Sequence, residues 1–259
     1  MIDIGVNLTN SRFDKDRALV IASAHSQGID KMLITGTNVD ESNKALELCL
    51  QYDNIYSTAG VHPHDADNVS NDYISTLCAL AKHHKVKAIG ECGLDFNRNF
   101  STPENQQRVF TEQLELASNL SMPVFLHQRD AFPTWKSILQ PFLSTIHGVS
   151  HCFTGNLEEL KQCLDMGLYI GITGWICDPK RGQELFDIAK YIPLDRIMIE
   201  TDAPYLTPKN IRPKPKSSRN EPKYLSYVAQ TLADAMNIDQ QTLITHANFN
   251  TEQLFKLNG

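Results

Sequence analysis

Four acid and imidazole side chains follow short apolar runs directly or within three residues: Glu91 after "AIG", His127 after "PVFL", His151 after "GVS" and Asp202 after "IMIET". Glu91 is followed by Cys92 and Gly93, so no helix is there to solvate its charge. A single histidine at the end of a strand is more often a hydrogen-bonded structural residue than a ligand. As a set, two histidines, a glutamate and an aspartate offer the mixed nitrogen and oxygen donors that suit a divalent cation. Such lone pairs are useful only if separate elements bring them to one place. Asn7, His62 and His64 stand at the ends of further runs and belong to the same group of polar termini.

The elements that must do this are legible as eight apolar or β-branched runs, at 2–8, 30–36, 55–61, 86–92, 123–127, 148–153, 168–173 and 195–201. Most intervals between them carry a helical pattern. In "TPENQQRVFTEQLELASNL", Thr102 is placed to cap, Pro103 to open the first turn, and Phe110, Leu114 and Ala117 to share one face. Further helices are expected at 154–167, ending at Gly167, and around 181–190. Eight strand signals alternating with helices predict an α/β fold, a (β/α)8 TIM barrel spanning 1–259 as one domain. Sites in such barrels lie at the C-terminal ends of the strands, where these polar residues stand.

Two cysteines, Cys92 and Cys152, adjoin Glu91 and His151 and invite a thiolate-metal reading. Strand alternation sends neighbours to opposite faces, so both are expected to be core thiols turned toward the helices. The six cysteines form no C-x-x-C pair, and no disulfide is expected. His25, His83, His84, His147 and His246 fall in helix or loop positions and read as structural or solvated. The net charge of −6 excludes a protein that coats nucleic acid over a broad basic surface. Between Pro208 and Asn220, however, Lys209, Arg212, Lys214, Lys216 and Arg219 occur without an acid. A solvated Pro-rich loop is the plain reading, and local contact with a polyanion the alternative. No apolar stretch is long enough to span a bilayer, and "MIDIGVNL" lacks the character of a signal peptide, which together predict a cytoplasmic protein without membrane contact.

The segments "GVHPHD", "AIGECGLDF", "PVFLHQRDA", "HCFTG" and "ETDAPYL", together with "RNEP", resemble the signatures of the TatD family of metal-dependent DNases, in family order across nearly the whole chain. The resemblance implies an amidohydrolase-like barrel that hydrolyses phosphodiesters, as a magnesium-dependent 3′–5′ exonuclease on single-stranded DNA or RNA. It makes Glu91, His127 and His151 metal ligands, Asp202 the catalytic aspartate of the last strand, with weak ligation open to it, and His62 a site histidine that binds phosphate or protonates the leaving oxygen. His64, Arg129, Lys214, Lys216 and Arg219 are the weaker expectations for substrate contact; for Arg129 an ordinary salt bridge is the competing reading. Magnesium is implied for activity, whereas histidine-rich ligation favours zinc by affinity and leaves manganese open. A monomer is expected.

Many members of the family open with D-x-H-x-H. Here Gly5 and Asn7 occupy the two histidine positions, the pattern of the TatD branch that begins "DIGVNLT". The change predicts one metal site instead of two. Two other classes remain open on sequence: an amidohydrolase cleaving C–N or C–O bonds with the same ligands, and a non-catalytic binding protein on a decayed barrel.

Overall fold

The computed structural model describes residues 1–257. Its eight strands are β1 (Ile2–Val6), β2 (Lys31–Ile34), β3 (Ile55–Ala59), β4 (Val86–Asp95), β5 (Val124–Arg129), β6 (Gly148–Ser150), β7 (Tyr169–Ile172) and β8 (Ile197–Ile199). All pair in parallel, each with its sequence neighbour. The ring closes just beyond β8. The Asp202 amide donates to the Gly5 carbonyl and the Asn7 amide to the Ala203 carbonyl, both at 2.8 Å. Asp3, fully buried in β1, reinforces this seam by accepting the Thr201 amide at 2.9 Å and the Thr201 hydroxyl. The fold is the expected TIM barrel.

The helices are α1 (Arg17–Ser26), α2 (Val39–Cys49), α3 (Tyr73–Ala81), α4 (Pro103–Leu120), α5 (Phe132–Leu139), α6 (Leu157–Asp165), α7 (Gln183–Ile188), α8 (Leu225–Met236) and α9 (Gln240–Phe255). In α4 the Thr102 side chain accepts the Asn105 amide, Pro103 opens the helix, and Phe110, Leu114 and Ala117 are buried. The helix in 154–167 begins with an Asn156–Glu159 capping box. α7 is shorter than the 181–190 pattern suggests, because the chain tightens into a 3-10 turn at Ala189–Tyr191.

A buried layer between sheet and helices carries most of the apolar mass. Inside the barrel, Ile4, Leu33, Tyr56, Ala88, Phe125, Val149 and Met198 pack with Leu254, Phe255 and Leu257. The last three come from the end of α9 and the residues after it, and plug the end where the strands begin. The opposite mouth is left open. All six cysteines are free, and among the described residues no helix is long and apolar enough to cross a membrane.

Candidate metal centre

Glu91 lies in β4, where the backbone departs from regular pairing: the register with β5 shifts between Gly90 and Cys92. Its Oε1 is the point on which three imidazoles converge. His151 Nε2 lies 2.7 Å away, His127 Nδ1 2.9 Å and His62 Nε2 3.4 Å. Donor atoms of His62, Glu91 and His127 all fall within 4.8 Å of one another, a grouping able to hold a metal ion. His151 meets Glu91 Oε1 as expected but lies outside that grouping, in which His62 takes the third place.

Burial alone would raise the Glu91 carboxyl, but the surrounding His151, His62 and His127 hold it well below the usual carboxylate range. Burial likewise works against the charge on His127 and His151. In His127 the Asp95 and Glu91 carboxylates outweigh it, and in His151 those of Glu91 and Glu200, so both rings are raised. The negative charge of Glu91 thus draws protons onto these rings. A divalent ion fits in their place, since neutral imidazoles and an ionised carboxylate are the ligand forms a metal requires.

His62 differs. It precedes the 3-10 turn Pro63–Asn68, and its Nδ1 accepts the His64 amide at 3.1 Å. Burial presses its pKa down to about 3, with neighbouring histidines adding to the effect. The neutral ring thus carries its proton on Nε2, facing the centre. His64 turns outward and pairs through Nε2 with Asp95 Oδ2 at 2.7 Å.

Asp202 follows β8 in a left-handed backbone conformation, φ 54°, and receives a hydrogen bond from Asn7 Nδ2 at 2.9 Å on Oδ1. Burial pushes its pKa up to about 7. It lines the same cleft of about 1230 Å³ as the three histidines, Glu91, His64 and Arg129. Arg129 ends β5 and makes no ion pair or side-chain hydrogen bond among the described residues.

The basic loop has the exposure of the solvated segment that was its plain reading. Lys214 and Lys216 are exposed and do not line the cleft. Arg219 is committed elsewhere: its guanidinium reaches both Asp16 oxygens at 2.7 and 2.8 Å, Glu221 at 3.0 Å and the Arg12 carbonyl at 2.8 Å. It ties the loop to the start of α1. Cys152 also corrects the reading from strand alternation. β6 stops at Ser150, Cys152 turns into a left-handed conformation with φ 45°, and it lines the cleft. Cys92 is buried as expected.

Two acids were not singled out by the sequence. Asp95 stands at the end of β4 and accepts the Asn97 and Arg98 amides as well as His64. Glu200, wholly buried, places Oε2 3.2 Å from His151 Nδ1 and accepts the Cys152 amide on Oε1 at 2.6 Å. A carboxylate immediately after the apolar run of β8, like Glu91 after its own run, was the available signal. Glu200 also explains position 5. A Cβ on Gly5 would lie 2.2 Å from Glu200 Oε2, and one on Gly171 2.6 Å from Oε1. A side chain at position 5 would collide with this carboxylate. Holding the His151 proton on Nδ1 directs the Nε2 lone pair to the centre. Glu200→Gln is therefore expected to weaken zinc or manganese binding by roughly 10- to 100-fold, read by calorimetric titration, while an unfolding scan remains cooperative.

Comparison with known proteins is consistent across the chain. The family described as TatD related DNase matches residues 2–256. The 3′-5′ ssDNA/RNA exonuclease TatD of Salmonella typhimurium is 49% identical over 258 residues, covering 99% of each chain. The protein of the same name from Pectobacterium parmentieri is 51% identical over 259 residues, covering 99% of this chain and all of its own. The crystal structure of a hydrolase TatD family protein from Entamoeba histolytica superposes with a TM-score of 0.89 at 28% identity, covering 98% of this chain and 97% of the other.

Proposed function

We propose, for a chain that belongs to the TatD-related DNase family, a divalent-metal-dependent 3′–5′ exonuclease acting on single-stranded DNA and RNA. The observation that carries this reading is the convergence of His62, His127 and His151 on one buried oxygen of Glu91 at the open mouth of the barrel. Glu91, His127 and His151 are the residues that would hold the cation. When bound, it would supply Lewis acidity, acidifying a water and offsetting charge on the phosphoryl oxygens. Magnesium serves as the working ion, and the protein acts as a cytoplasmic monomer.

The chain's own groups divide the remaining work. Asp202 accepts the proton of the attacking water, and Asn7 keeps its carboxylate aimed at the centre. Burial raises the Asp202 carboxyl above the ordinary range, which favours proton acceptance. His62, neutral and protonated on Nε2, donates to a phosphoryl oxygen or to the departing 3′ oxygen of the shortened strand. Glu200 keeps His151 in its tautomer and ring orientation.

The test is digestion of end-labelled single-stranded and duplex DNA and RNA with magnesium, with chelator, and with His127→Ala. Stepwise shortening from the 3′ end, lost on chelation and in the variant, is the expected result. Cleavage that survives exhaustive chelation, or internal cuts alone, would overturn the reading.

A further inference from the structure

The loop from β4 into α4 places an aromatic ring and a cation at the mouth of the cleft, and neither is used by the chemistry above. Phe100 is 65% exposed, although it is apolar and lines the cleft. Single exposed hydrophobes are ordinary, and this molecule has others. What distinguishes Phe100 is where it sits and how firmly it is held. Its ring meets the His64 ring edge to face, with centroids 4.7 Å apart, and His64 in turn meets His62 at 4.2 Å. The ring therefore stands two contacts from the side chains that surround Glu91.

The loop is pinned on both sides of it. Asp95 Oδ1 accepts the Asn97 and Arg98 amides at 3.0 and 2.9 Å, and the Ser101 hydroxyl donates to the His64 carbonyl at 2.8 Å. Gln106 holds the Ser101 carbonyl at 2.9 Å. An apolar face fixed in water by polar anchors is ready for a flat partner.

Charge identifies the partner. Most cations along the cleft are already paired: Arg17 with Asp14, Lys44 with Glu41 and Arg181 with Asp178. Arg98 and Arg129 line the same cleft, and among the described residues their guanidiniums have no ion pair or side-chain hydrogen bond. Two uncommitted guanidiniums beside a fixed aromatic face suit a ligand that alternates anionic phosphates with flat rings.

We propose that Phe100 is a stacking platform for an unpaired nucleobase near the 3′ end of the substrate, with Arg98 and Arg129 engaging the adjoining phosphates. This rests on the nuclease reading and deepens it. Stacking uses the π-face that every base has, so the subsite tolerates any sequence and either sugar. A base held in a duplex does not offer that face, which gives a physical origin for single-strand preference.

The experiment measures binding of fluorescein-labelled oligothymidylate to the metal-free full-length protein by anisotropy, with tetrahydrofuran abasic substitutions at each of the last three 3′ positions. Phe100→Ala should weaken binding of the intact oligonucleotide on the order of tenfold, and Phe100→Trp should restore it. At one abasic position the wild type should lose the same factor and Phe100→Ala should lose nothing more. Arg98→Ala and Arg129→Ala should each lower the salt slope by about 0.7. Wild-type affinity in Phe100→Ala, or an equal loss on every abasic substrate, would overturn the stacking platform while leaving the nuclease intact. A wild type that neither binds nor shortens any oligonucleotide would overturn both.

Discussion

Glu91→Gln is expected to abolish tight metal binding and to lower exonuclease turnover on the order of 10³-fold or more. Glutamine preserves size and shape but removes the charge on which three imidazoles converge. The metal-free protein should report the same loss as a pH-dependent change in stability. Glu91 has a depressed pKa, so its contribution is present above 4.5 and is lost as pH falls through the folded value. His127 and His151 have raised pKa values, so theirs is present below 6.5 and is lost as pH rises through the folded values. The variant's deficit should therefore be greatest where both conditions hold, between about 4.5 and 6.5, and should shrink outside that window. Thermal melts of the chelated proteins across pH, paired with manganese titrations, check both parts. Undiminished manganese affinity in Glu91→Gln would remove this carboxylate from the centre.

The second large effect is on folding. Gly93→Ala should cost more than about 3 kcal/mol, a large share of the roughly 5–15 kcal/mol that holds a typical domain. Gly93 pairs with His127 across β4 and β5 at φ 150°, and a Cβ there would fall 1.8 Å from the His127 carbonyl oxygen. The two strands that carry Glu91 and His127 would have to separate. Gly28→Ala is the matched control. It too has a positive φ, 79°, but nothing lies within 4 Å of the added atom, so only the backbone penalty of about 1 kcal/mol applies. Urea denaturation of both variants separates strain from collision, and equal losses would show that the approach at Gly93 relaxes without cost.

The periodicity of the runs was enough to place all eight strands, and their polar ends were enough to place Glu91, His127 and His151, because apolar patterning and the topology of a barrel are set by local chemistry. Strand length was less legible. β4 runs to Asp95 and β5 to Arg129, beyond the apolar runs, because paired neighbours extend the ladder past the point where hydrophobicity stops. β6 and β8 stop early, and there alternation failed to place Cys152. Glu200 carried the same signal as Glu91, a carboxylate directly after an apolar run, but its fit beside Gly5 and Gly171 appears only when the strands are adjacent. Within the basic run 208–220 the place of Arg219 was hidden for a related reason. Composition records Arg219 as a free cation, whereas the fold brings Asp16, distant in sequence, against it.

Asp202 sits on the joint between the last strand and the first, held by the Gly5 carbonyl and by Asn7. During synthesis β1 emerges first and β8 long afterward, so the two halves of this joint meet only when nearly the whole chain is available. A chain ending before β8 would carry Glu91, His127 and His151 but would lack Asp202, the Glu200 carboxylate against His151 and the partners that close the ring onto β1.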